Sequence, residues 1–444
     1  MFLRSKLLNK NNLSLCSSSV RTFLSEQFKC PNEWNSRLQP TFMQNTNLEN
    51  LYYEIKQAST SQKNGKLNAI DIDIFVNKAS AADESRVDEI NELIHTLRIS
   101  DETTNTLDST HHAVVRNYVD MGHITDLITI LDNRLAYGIF LDDYSASYLL
   151  DYLIKKQDFH SAARTATFLM LQEDFENELP RALSLFACYK YLNRREPFYQ
   201  VEQTDEQAEK PKEVKVRVKY LRNEYFDDHF DIKNHDHLVG KTFIAIGKKM
   251  DKPFSPNLKL LGYCLYGKYE NACNELKTTD KVFFKEILEH CLKVLEVIET
   301  EDTSLESLKV VLQERLANTN QLQSESFDTL LEDYCKSVVA KQEPVAIETQ
   351  KELYKKWNVL REEKLNEELQ RLQRAKRLKK IEQITEEMKT KEQHLWFFEN
   401  EAQLDLQIDG KRVFYPKRWF GKKKVPRVID ADYVPPEIVK GMKN

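Results

Sequence analysis

The stretch "YGIFLDDYSASYLLDYLIKKQDFHSAA", Tyr137 to Ala163, decides how the chain folds. Gly138 stops one helix, and Asp142 and Asp143 offer side chains that can accept hydrogen bonds from the first free N–H groups of the next. Leu149, Leu150 and Leu153 then recur at helical spacing. Lys155 to Asp158 interrupts them, and Phe159, Ala162 and Ala163 begin a second apolar face. Two short helices joined by a tight polar turn bury little alone. They need neighbours of the same kind.

A neighbour lies 35 residues upstream, in "HHAVVRNYVDMGHITDLITILDNRLAYG". Val114 and Val115 match Leu149 and Leu150, Tyr118 matches Leu153, Ile124 matches Phe159, Leu127 matches Ala162, and Phe140 matches Phe175. At the same offset downstream, "LSLFACYKYL" (Leu183 to Leu192) supplies another first helix, and "RVDEINELIHTLR" (Arg86 to Arg98) reads as an earlier second helix at a looser offset. A unit of two antiparallel helices stacked on its copies is a helical-hairpin repeat, which predicts an all-α fold, a solenoid, over residues 31–195. An ordinary helix bundle with coincident spacing is the competing reading. "SPNLKLLGYCLYGKYENACNELKTTDKVFFKEILEHCLKVLEVI" (Ser255 to Ile298) resumes the hairpins, extending them over 251–340.

Whole-chain composition agrees. Only 10 of 444 residues are Gly, against a usual share of roughly 7%, which leaves little room for β-turns or phosphate-cradling loops. Seven Cys without a C-x-x-C pair suggest reduced thiols inside a large fold. No run reaches the roughly 18 apolar residues that a membrane span needs.

The N-terminus is different in kind. "MFLRSKLLNKNNLSLCSSSVRTFLSEQFK" sets Arg4, Lys6, Lys10, Arg21 and Lys29 against one acid, Glu26, among many Ser, Leu and Asn. A basic, Ser-rich, acid-poor start is the composition of a mitochondrial transit peptide, expected here over residues 1–30, with "RTFLS" (Arg21 to Ser25) as the place of the cut.

Charge is unevenly spread. Lys351 to Gln393 holds 13 Lys/Arg against nine acids and Lys411 to Asn444 ten against three, so these two segments carry a surplus of 11 and the remainder −16. A basic end on an acidic body marks a partner-binding extension, with nucleic acid first among the candidates. A long charged helix is expected over 341–400. In it Arg371, Arg374, Lys376, Arg377, Lys379 and Lys380 are candidates for neutralising RNA phosphates. Each alone is equally well explained as part of a solvated face.

The segment after it, 401–444, reads as a basic aromatic tail. Lys411, Arg412, Lys417, Arg418, Lys422, Lys423, Lys424 and Arg427 alternate with Phe414, Tyr415, Trp419 and Phe420, and four Pro residues forbid a continuous helix. Aromatic faces can stack on bases while cations hold phosphates. The same residues also suit an extended tail wedged into another protein.

Between repeats and helix, residues 196–250 read as an irregular insert. "EVKVRVKYLR" (Glu213 to Arg222) alternates with period two, as an exposed strand would. Gly240-Lys241-Thr242 imitates the end of a phosphate loop, but the first Gly of that motif would fall on His235. His229, Asp231, His235 and His237 lack the Cys partners or helical spacing of a metal site. Neither reading is retained, and no metal, cofactor or small-molecule substrate is expected. G-x-S-x-G, H-E-x-x-H and a complete phosphate loop are all missing, and the paired acids Glu362-Glu363 and Glu386-Glu387 sit on solvated helix.

The segment "YGIFLDDYSASYLLDYLIKKQDFHSAARTATFLMLQEDFE" (Tyr137 to Glu176) resembles the pentatricopeptide-repeat core of a family of mitochondrial small-subunit ribosomal proteins, the one numbered twenty-seven. Tyr137 to Phe140, Ile154-Lys155-Lys156 and Gln172 to Phe175 carry the likeness. "LLGYCLYGK" (Leu260 to Lys268) and the helix with Trp357 resemble later parts of that family, while Glu213 to Leu238 and the tail after Gln403 depart from it. The resemblance implies an α-solenoid in the mitochondrial matrix, bound to small-subunit ribosomal RNA and neighbouring ribosomal proteins, without catalysis of its own. Pentatricopeptide proteins that read bases use a small polar residue on each first helix. Here that position is Tyr148, and the usual Pro before the Asp is Leu141, so recognition by shape and charge is expected instead of a base code. A free mitochondrial RNA-binding factor acting on transcripts is the alternative, and a repeat-guided nuclease ranks last.

Overall fold

The structure, a computed structural model, describes residues 23–60, 67–79, 86–198, 232–277, 283–296, 303–317, 322–323 and 326–411. The fold is all-α. Short helices α1 (Pro31–Ser36), α2 (Thr41–Asn45) and α3 (Leu48–Thr60) open it, followed by α4 (Ala69–Lys78) and α5 (Arg86–Ile99). Then come α6 (Asp108–Met121), α7 (Ile124–Asp132), α8 (Arg134–Tyr137), α9 (Asp143–Lys155), α10 (Phe159–Leu171) and α11 (Glu178–Tyr191).

The 35-residue spacing is visible in the helix starts. Asp108, Asp143 and Glu178 open α6, α9 and α11, and Ile124 and Phe159 open α7 and α10. The helices form two rows: α6 packs on α9 and α9 on α11, while α7 packs on α10 and α10 on α12 (His235–Lys248). Val114, Val115, Tyr118, Leu149, Leu150, Leu153, Leu127, Ala162 and Phe175 are all buried in one continuous core. Phe140 is not. It is 42% exposed, on a segment that the left-handed Gly138 (φ 64°) turns away from α8.

Caps differ in detail from expectation. Asp158 accepts from Ser161 N at 3.1 Å and Asn177 from Leu179 N at 3.0 Å. Asp142 holds the N-cap position of α9, yet its carboxylate accepts from the Ser145 hydroxyl and not from a backbone N–H.

The supposed insert contains α12, whose start is capped by Asn234 (2.9 Å to Asp236 N) and whose Leu238, Val239, Phe243 and Ile246 are buried at helical spacing. Gly240-Lys241-Thr242 therefore lies inside a helix. The glycine serves packing: a Cβ at Gly240 would stand 2.9 Å from Gly262 O, and one at Gly262 would stand 2.7 Å from Gly240 O. These two glycines let α12 cross α13 (Phe254–Tyr266) backbone against backbone. The strand expected over Glu213 to Arg222 lies outside the described residues, as do His229 and Asp231. Helices α14 (Tyr269–Lys277), α15 (Lys285–Glu296) and α16 (Thr303–Ala317) follow, with a two-residue parallel pairing of Phe283–Phe284 and Leu322–Gln323. The six described cysteines are buried and free.

The last helix, α17, runs from Phe327 to Lys411, 85 residues. It begins earlier and ends later than the expected 341–400. Its Pro344 is tolerated on an exposed face, where solvent can take the freed carbonyl. The chain divides into two compact units, residues 1–366 and 367–444, so α17 belongs to the first unit up to Asn366.

At the other end, residues expected to be removed are part of the body. Leu24, Phe28 and Cys30 are 4%, 1% and 2% exposed. Residues 1–22 lie outside the described part.

Substitution of Gly262 by Ala should cost about 1–3 kcal/mol, because the new methyl meets backbone and cannot be accommodated by a rotamer change. Urea unfolding of the purified chain checks this. A neutral or stabilising result, as helix propensity alone predicts, would contradict the close-crossing account.

Candidate nucleic-acid interface

Up to Asn366, α17 lies against the first-row helices. Leu331, Cys335, Val338, Val339, Gln350, Tyr354 and Arg361 are buried, and the separations of three, four, seven and eleven residues among them return to one helical face. Lys190 of α11 reaches Asp328 (2.5 Å) and Glu332 (3.7 Å), Cys335 Sγ lies 3.4 Å from Ala182 O, and Gln342 reaches Glu178 (3.1 Å). Farther along, Tyr354 meets α6 and Arg361 meets α4. The helix thus straps the row from α11 through α6 to α4.

The strap is held by polar groups out of water. Arg361 Nε donates to Asp73 Oδ2 at 2.6 Å, and the two side chains are 1% and 0% exposed. Asp73 Oδ1 accepts from Ser109 (2.6 Å), Thr110 (2.8 Å) and Asn77 (2.9 Å), so both carboxylate oxygens are satisfied. One and two turns back, Trp357 and Tyr354 stand against His112, ring centroids 5.2 and 5.4 Å apart. Arg116 Nη1 donates to the Tyr354 hydroxyl at 2.8 Å, leaving its proton for His112 Nε2 at 2.9 Å, while His112 Nδ1 faces Ser145 Oγ at 3.1 Å. Burial pushes the Tyr354 phenol up to about 12, which keeps that proton in place. Arg37 and Arg116 both lie over the Trp34 ring, at 3.5 and 4.6 Å. Burial first, then the Arg116 charge, works against the charged form of Arg37, and the carbonyls of Asn77 and Trp34, each 2.7 Å away, offset this.

Tyr148, at the position that would meet a base, is 9% exposed and donates to Asp120 of α6 at 2.9 Å. It is occupied in holding the stack together.

Beyond Asn366 the helix is exposed. Arg371, Arg374, Lys376, Arg377, Lys379 and Lys380 all lie there and all are solvent-facing. Successive helical residues turn by about 100°, so these six cations ring the axis and do not share one face. Arg371 pairs with Glu368 at 2.7 Å, and Arg377 Nε donates to Gln373 O at 3.3 Å. Exposed apolar side chains stand among them, Leu372 and Leu378, and follow them, Ile381, Ile384 and Met388, continued by Leu395, Trp396 and Phe398. Lys411 ends the helix. Arg412, Phe414, Tyr415, Lys417, Arg418, Trp419, Lys422, Lys423, Lys424 and Arg427 lie outside the described residues.

A second basic surface escaped the sequence reading. Between α10, α12 and α13 a cleft of about 690 Å³ is lined by Lys241, Lys248, Lys249 and Lys268 together with Tyr263 and Tyr266. Lys241 and Lys268 hold their ammonium groups 5.5 and 5.2 Å from the Tyr266 ring centre, and Lys249 pairs with Glu176. These lysines are spread along the sequence, so only the fold assembles them.

The family model described as mitochondrial 28S ribosomal protein S27 matches residues 1–387. The chain belongs to that family. It is a mitochondrial ribosomal protein of the small subunit. The S27 match takes in the repeats, the strap with Tyr354 and Arg361, and the six ringed cations, and it leaves out Lys411 and the aromatic tail. An S27 membership points to a structural role.

Asp73→Leu or Arg361→Met alone should lower unfolding stability by about 3–5 kcal/mol, since each strands a buried polar partner. The pair Asp73→Leu with Arg361→Met should cost less than the sum of the two, because it leaves no buried ion uncompensated, although Ser109, Thr110 and Asn77 still lose their acceptor. Guanidinium titrations of the three variants decide it. Additive losses in the double variant would show that the two side chains act independently.

Proposed function

We propose that the chain is a scaffold of the small ribosomal subunit in the mitochondrial matrix, binding small-subunit ribosomal RNA and neighbouring ribosomal proteins. The observation that carries this reading is the division of α17. Its first half closes the first-row face, where a base-reading repeat protein would lay its RNA, and its second half stands exposed with cations on every side. Cations that ring a helix suit phosphates from more than one strand or from both walls of an RNA groove. The apolar residues among and after them suit a protein neighbour, because exposed aliphatic and aromatic side chains lose water only against another apolar surface. The tail and the lysine cleft beside Tyr266 add basic surface of the same kind. Support in mitochondrial translation follows from that role. Tyr148, spent on Asp120, argues against a one-base-per-repeat code.

Ultraviolet crosslinking in intact mitochondria, followed by sequencing of the attached RNA, tests the assignment. Crosslinks concentrated in small-subunit ribosomal RNA are expected. Crosslinks confined to messenger transcripts would replace it with the free RNA-binding factor. With purified chain and ribosomal RNA, Gln at Arg371, Arg374, Lys376, Arg377, Lys379 and Lys380 should flatten the salt dependence of log affinity. The expected change is about 0.7–0.9 in slope for each phosphate that is no longer neutralised. An unchanged slope would remove this helix from the RNA interface.

A further inference from the structure

From Arg371 to Lys380, α17 carries six cations and no acid; from Ile381 to Gly410 it carries eight acids against two lysines. The sign of the charge changes within one residue, on a helix that continues unbroken. Phosphates drawn to the first stretch are repelled by the second, so RNA alone does not account for the whole exposed helix.

The second stretch has an ordered face. Ile381, Ile384, Met388, Lys391, Leu395 and Phe398 follow one another at alternating steps of three and four residues, the spacing of a helix that pairs with another helix. The five apolar members are 45% to 72% exposed. A helix in water gains nothing by setting them on one line. Glu392 and Glu399 border that line on one side, Glu387 and Glu401 on the other, and all four are exposed. At about 100° per residue each lies roughly a quarter turn from it. The S27 match stops at residue 387, so most of this face lies beyond what family membership describes.

The borders choose between occupants. A second copy laid parallel and in register would set Glu387 of one copy against Glu392 of the other, and Lys391 against Lys391. An antiparallel copy would again bring the acidic borders together. Like charges so placed oppose pairing. We propose that Ile381 to Phe398 is the docking face for an amphipathic helix of another protein, apolar along its centre and bordered by Lys and Arg. This deepens the scaffold reading: it rests on neighbouring ribosomal proteins being the company of this chain, and not on RNA contact by the six cations. Apolar side chains of the two helices interdigitate and lose water, while the partner's cations meet the four glutamates and select partner and register. Beyond Asn366, α17 then addresses two partners in sequence, phosphates up to Lys380 and a basic helix from Ile381.

The full chain, carrying a benzophenone side chain at Phe398, is imported into mitochondria and irradiated, and the attached product is identified by mass spectrometry. Attachment to a Lys/Arg-bordered amphipathic segment of another protein is expected. The same group at Gln393, on the opposite face, should not reach that segment. Attachment to RNA, to a second copy of this chain or to a segment without such cations would overturn the proposal, as would the absence of any product. A Lys/Arg-bordered segment on a protein that sediments apart from the ribosome would keep the face and remove the scaffold reading. A ribosomal segment without those cations would do the reverse. Glu387→Gln, Glu392→Gln, Glu399→Gln and Glu401→Gln together should lower the Phe398 yield about tenfold, and as exposed positions they leave the fold intact. An unchanged yield would show that charge does not choose the partner and would overturn the proposal.

Discussion

Arg361 and Asp73 are separated by 288 positions in the chain and meet at 2.6 Å with almost no access to water. Burying either one without the other would cost far more than burying the pair, because an isolated buried ion is uncompensated. Their pairing therefore requires α4, α6 and α17 to be assembled together: Asp73 is held by Asn77, Ser109 and Thr110, and Arg361 arrives only when α17 lies along the row. Tyr354, His112 and Arg116 repeat the logic one step along, with a shared hydroxyl in place of a carboxylate. Apolar packing gives the body its stability, and these polar contacts set the register of the strap.

With the register set, the functions of the two parts of α17 separate. The docked part hides the first-row face, and the side chains beyond Asn366 are exposed to solvent. A chain built in this way is suited to be held in an assembly more than to select its own ligands. Membership in the S27 family is consistent with that division, since the matched residues end at 387, past the cations and short of the tail.

Much of the body was legible because it depends on apolar periodicity. Leu149, Leu150 and Leu153 with their copies 35 residues upstream announced the helix pairs, and all of them are buried. The strap was not legible in the same way. Its inner face includes the polar Gln350 and Arg361, whose burial no apolar pattern announces, while the apolar Leu360 is 37% exposed. Gly240 resembled a phosphate loop because only the opposing Gly262 explains it. Leu24 and Phe28 were absorbed into a leader by composition, since their burial depends on partners more than a hundred residues away. The basic aromatic tail was read from composition alone; its residues 401–411 continue α17, and the rest lies beyond the described residues.

Sedimentation of a mitochondrial lysate through a sucrose gradient, with this chain followed by antibody at a salt concentration that strips loosely held RNA binders, tests the central claim most directly. A scaffold of the small subunit runs with that subunit and with the monosome. A chain found at the top of the gradient, or with light RNA particles, would contradict the account.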